Sequence, residues 1–184
     1  MKHLLLLFLL PLFLTVSAQD TLSVGFVDTP PQLKSEDIPR AEGISDQNDL
    51  FLCGVYNSLR YPAYARQYGV PTIVGVTYLV DINGEISIEK TSAFSPGGAT
   101  KLDAPKGELV TITAFPAISE IRGPGTPVAP PRQAKRENRL VKAHAALEEA
   151  AAASILELPK FLPGSHEGKP VVVRSTRFFS FRML

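Results

Sequence analysis

One cysteine, three histidines and no tryptophan in a chain of 184 residues close off several common chemistries. Cys53 stands alone and forms no internal disulfide, so export does not rest on disulfide stapling and the thiol reads as a small packed side chain. His3, His144 and His166 are scattered, whereas a metal site needs several converging ligands and a triad needs a base beside its nucleophile. No nucleophile elbow, thiol dyad or pair of catalytic carboxylates stands out; Asp81, Glu85, Glu89 and Asp103 flank turns and read as solvated turn residues. We therefore expect no catalytic residue, no metal, no cofactor and no enzyme activity. Charge of one sign is lacking too. A formal net charge of +1 gives no concentrated basic patch, and nucleic acid is not an expected partner. Gly164–Lys169 fails as a phosphate loop, because three residues instead of four separate Gly164 from Gly168 and Pro170 stands where Ser or Thr would bind magnesium. No small-molecule substrate is predicted.

With 45% hydrophobic and 20% charged residues, the chain can bury one ordinary core. Met1-Lys2-His3, the apolar run Leu4 to Leu14 and the short side chains Val16-Ser17-Ala18 predict a signal peptide over residues 1–18, with Gln19 as the mature start. The expected location is periplasmic or secreted. The alternative is a retained inner-membrane anchor facing the periplasm, but a span takes about 20 apolar residues and this run is shorter and carries Pro11. Residues 19–57 read as an extended leader with a short strand at Leu22 to Val27, and residues 50 to 68 as short helix restarted at Tyr61-Pro62.

The clearest strand pair is Ile73 to Val80 with Glu85 to Thr91 around Asn83-Gly84. A two-residue loop would put Val74, Val76, Tyr78 and Val80 on one face with Glu85, Ser87 and Glu89. A three-residue loop, Ile82-Asn83-Gly84, pairs Asp81 with Glu85, sets Ile86 and Ile88 beside Val80 and Tyr78, and requires a left-handed Gly84. Prolines and glycines make most of 92–139 read as a long loop insertion, although Leu109 to Phe115 alternates as a short strand would. Gln133 to Leu158 reads as a helix with Leu140, Leu147, Ala151, Ile155 and Leu158 on one stripe. Pro159 stops it, Pro163-Gly164 turns the chain, and Val171 to Phe181 is the last strand, with Val171, Val173, Phe179 and Phe181 in one alternating set.

Several features then fall in a distinctive order: Arg60-Tyr61-Pro62, the turn Asp81-Ile82-Asn83-Gly84, a helix, Pro159-Lys160-Phe161-Leu162-Pro163-Gly164, Gly168-Lys169-Pro170, and the terminal Phe181-Arg182-Met183-Leu184. Together they resemble the TonB C-terminal domain family, the periplasmic module of energy transducers, over roughly residues 58 to 91 and 140 to 184. Asp28-Thr29-Pro30-Pro31 is similar to the leader of many such domains. The resemblance implies an α+β fold over residues 58–184, a small antiparallel sheet of about three strands with helices packed on one face. Gly84, Pro163, Gly164 and Gly168 would shape its turns. It also implies a non-catalytic module that binds a peptide segment of an outer-membrane TonB-dependent transporter or another envelope protein by strand addition. The partner would lie along Val171, Val172, Val173, Arg174, Ser175 and Thr176, with Arg60, Tyr61 and Pro62 completing the site. Family transducers also carry an uncleaved membrane helix and a long proline-rich linker, which this chain does not display, so binding without energy transduction is expected. The alternative is a secreted structural protein on the same scaffold, self-associating as a homodimer through an edge strand.

Overall fold

Alternating valines in the segment Thr72–Val80 make the central strand of the sheet, because every second side chain there faces the helices. The computed structural model describes residues 21–94, 109–114 and 133–183, and for 133–136 the backbone only. In chain order these form β1 (Thr21–Ser23), α1 (Gln47–Ser58), α2 (Ala63–Gln67), β2 (Thr72–Val80), β3 (Ile86–Phe94) and β4 (Leu109–Ala114). They continue with α3 (Gln133–Leu156), the small ribbon β5 (Ser165–His166) and β6 (Lys169–Pro170), and β7 (Val172–Met183). The processing expected over residues 1–18 lies outside the described residues, and so do residues 95–108 and 115–132 of the expected insertion.

The fold is α+β, with an open, mixed five-stranded sheet. The expected antiparallel core of β3, β2 and β7 is present, in the order β7-β2-β3. Two further strands enlarge it. β1 and β4 both run parallel to β7, β1 against Val172–Arg174 and β4 against Phe178–Met183. The leader and the insertion are thus parts of the sheet, not merely a tail and a loop. The leader also supplies Leu33, Ile38 and Ala41 to the core and the start of α1. Asp46 caps that helix, its carboxylate accepting from the Asn48 and Asp49 N–H groups at 2.9 and 3.0 Å.

Between sheet and helices lie Val74, Val76, Tyr78 and Val80 of β2, Phe179 and Phe181 of β7, Leu50, Phe51 and Val55 of α1, and Ala143, Leu147, Ala151 and Ile155 of α3. Each large side chain in this layer contributes about 2 kcal/mol relative to exposure. The α3 stripe follows the sequence reading except at its start, where Leu140 is exposed.

The hairpin adopts the three-residue loop. The Asp81 N–H donates to the Glu85 carbonyl at 3.0 Å, Val80 faces Ile86, Tyr78 faces Ile88, and Gly84 has φ +79°. A bulge then shifts the register between Thr77 and Tyr78. Its cause is readable in the side chains. Without the extra residue Lys90 would lie opposite the buried Val76, whereas with it Lys90 faces Thr77 on the open side and Thr91 turns inward to Glu148 of α3.

Candidate functional site

The segment between α3 and β7 organises the surface around the sequence-predicted site. The Phe161 N–H donates to the Gly84 carbonyl at 3.0 Å, tying the segment to the hairpin loop. A Cβ on Gly84 would overlap the Phe161 carbonyl oxygen, so glycine is required by contact as well as by φ. On its other side the segment binds the leader: Leu162 and Gln32 exchange backbone hydrogen bonds at 2.7 and 3.1 Å, and the Ser165 N–H donates to the Thr29 carbonyl at 2.9 Å. Pro163 and Gly164 lead into the β5–β6 ribbon, where Gly168 has φ +72°. At Gly164 a Cβ would come within 2.7 Å of the Val173 side chain and 3.1 Å of the Thr29 carbonyl, so the leader can lie this close because the position carries no side chain.

The predicted partner-binding residues separate into two groups. Tyr61 donates its hydroxyl to the Val70 carbonyl at 3.0 Å and packs edge-on against Phe181 at 5.5 Å. Burial pushes the Tyr61 phenol above its ordinary pKa. Arg60 folds back onto the end of α1, donating to the Leu59 and Asn57 carbonyls at 2.9 and 3.2 Å, and Pro62 is the cap residue of α2. These three join two helices beside the far end of β7. Five residue steps along the strand, about 17 Å, take Thr176 to Phe181, so the two groups do not converge on one site.

Nor is the last strand an edge over its whole length, a correction to the sequence reading. Val172–Arg174 pair with β1 on the outer side, and Val173 is fully buried. Arg174 points to the open face and holds Glu89 with two contacts, Nε to Oε2 at 2.7 Å and Nη2 to Oε1 at 2.6 Å. That hydrogen bond lowers the Glu89 carboxyl below its ordinary pKa and raises Arg174. Thr176 exchanges a hydroxyl hydrogen bond with Thr77 on the same face. Between β1 and β4, Ser175–Arg177 have no strand on their outer side among the described residues.

That window borders a cleft of about 450 Å³ on the helix side of the sheet, walled by Val24, Pro31, Leu33, Phe51, Tyr78 and Phe161. Ser175 and Arg177 line it too. Arg177 was not among the sequence-predicted residues, although a signal for it exists. Positions 175 and 177 share the parity of Val173, Phe179 and Phe181, and polar residues on an otherwise buried face mark a place that the helices leave uncovered.

On the opposite side of the sheet, β3 ends the strand order, and among the described residues its outer edge pairs with nothing. By alternation from the Asp81–Glu85 hydrogen bond, the Ser87 backbone faces β2 while those of Ile86 and Ile88 face outward. Among the described residues no cluster of three or more His, Cys, Asp or Glu side chains is placed to hold a metal, and no helix is long and apolar enough to cross a membrane. Compared with models of known protein families, with curated proteins and with solved structures, the chain matches none.

Proposed function

We propose that the protein is a non-catalytic interaction module of the periplasm or cell exterior, built on a scaffold of the TonB C-terminal type. It takes an extended segment of an outer-membrane transporter or another envelope protein by strand addition, and the receiving strand is β3. The observation that carries this reading is the outer edge of β3, nine residues with no pairing strand among the described residues, continuous with the hairpin that docks on Phe161. An extended peptide gains backbone hydrogen bonds there and specificity from its alternating side chains. The bulge at Glu89 and the charge of Lys90 interrupt the edge near its middle, which discourages indiscriminate pairing. Self-association through the same edge is the second reading, favoured by the same unpaired strand.

The test is titration of labelled protein with N-terminal peptides of candidate transporters, followed by amide shifts. Shifts running along Ile86–Phe94 are expected, together with their loss in Ile88→Pro, which removes an outward N–H. Concentration-dependent shifts of the same residues without peptide would select the homodimer. Shifts that avoid β3 for every peptide would remove strand addition there.

A further inference from the structure

We infer that the cleft beside Ser175–Arg177 is a second binding site, one that seats a carboxylate of an extended polypeptide flanked by apolar residues. It is independent of the β3 edge. Arg177 is half-buried, with its guanidinium carbon 4.6 Å from the centre of the Phe51 ring and Nη1 donating to Asn48 Oδ1 at 3.1 Å. Those two contacts fix the plane of the fork. Its Nε and Nη2 hold no partner among the described residues, and neither Asp46 nor Asp49 at the start of α1 comes within ion-pair distance. A cation held by a neutral amide and a ring, against apolar walls, lacks a counter-charge among the described residues, and a carboxylate meets the fork with two parallel hydrogen bonds. The Ser175 hydroxyl, which has no side-chain hydrogen bond among the described residues, lies two positions back on the same face, about 7 Å away along the strand. It supplies one more donor at the other end of a short ligand.

One arginine and one hydroxyl suit a monoanion better than a phosphate dianion, and the apolar walls demand an apolar body around the charge. The cleft also borders three residues of β7 whose outer side pairs with no strand among the described residues. An extended chain can follow that backbone while one acidic side chain enters the cleft, which selects a polypeptide over a free carboxylate.

The experiment uses acetyl-Val-Leu-Glu-Leu-Val-amide, its glutamine counterpart and octanoate, each titrated into the labelled full chain by two-dimensional NMR with Arg177 Nε–H observed. The glutamate peptide is expected to shift Ser175–Arg177 and Phe51 and to bind about tenfold tighter than the glutamine peptide. Arg177→Gln should erase that difference, and Arg177→Lys, which keeps the charge and loses the fork, should restore part of it. Ile88→Pro should leave it unchanged, so failure here and failure at the β3 edge are told apart. Equal binding of the two peptides, no binding of either, or binding of octanoate alone would each overturn the proposal, the last by assigning the cleft to a small carboxylate.

Discussion

On one side of the sheet, β7 gives its outer backbone to β1 over Val172–Arg174 and to β4 over Phe178–Met183, while on the other side β3 gives its outer backbone to no strand among the described residues. The two caps on β7 are themselves unequal. β4 is anchored, with Val110 and Ala114 buried and the Tyr56 hydroxyl donating to the Thr111 carbonyl at 3.1 Å. β1 has three residues, two exposed and one half-buried. The contrast separates two ways of managing a sheet edge, covering it with the chain's own remote segments or leaving it open behind a bulge and a charge.

The largest expected effect falls on the hairpin that presents the open edge. Gly84→Ala places a methyl group against the Phe161 carbonyl at a left-handed φ, and a loss of about 3 kcal/mol is expected in urea unfolding. An unchanged midpoint would mean that the hairpin is not docked on Phe161. Next come the caps. Val110→Ala should cost about 2 kcal/mol and Leu22→Ala in β1 less than about 0.5 kcal/mol, so equal losses would break the distinction between an anchored and a light cap. Tyr61→Phe removes one hydrogen bond to Val70 and should cost about 1 kcal/mol while leaving peptide affinity unchanged. A loss of affinity would return Arg60-Tyr61-Pro62 to the partner site.

The smallest effect is a pH dependence on the open face. Glu89, hydrogen-bonded by Arg174, has its folded pKa below the unfolded value, so the pair stabilises above the ordinary carboxylate range and the contribution is lost as pH falls through the lowered value. Asp81 behaves with the same sign: desolvation pulls its pKa up, but the N–H groups of Glu85 and Asn83, each at 2.8 Å, and the Asn83 side chain outweigh it. Glu89→Gln should therefore flatten part of the acid limb of stability, and an unaltered limb would show that the exposed pair contributes nothing measurable.

The hairpin was legible because a period of two leaves one register that keeps Val74 to Val80 and Ile86 to Ile88 on the same face. α3 was legible for the corresponding helical reason. The closure of β7 was not. β1 is three residues of unremarkable composition, and both caps pair in parallel with a strand far away in sequence, a relation that leaves no local pattern. The bulge was hidden for another reason, since it keeps Lys90 from facing the buried Val76, a conflict visible only once the partner register is known. The Arg60-Tyr61-Pro62 motif was easy to find and its place was not, because the sequence order carries no distance to Val171–Thr176. Arg177 stood in plain view on the buried parity of β7, between Val173 and Phe179.

Residue-resolved amide hydrogen exchange on the full chain without any partner tests the central contrast most directly. On β7, Phe178–Phe181 lie between β2 and β4, so consecutive amides there should all be protected. On β3, Ser87 should be protected while Ile86 and Ile88 exchange quickly and become slow when a pairing peptide is added. Continuous protection of β3 before any partner is present, or fast exchange at every second residue of Phe178–Phe181, would contradict the account.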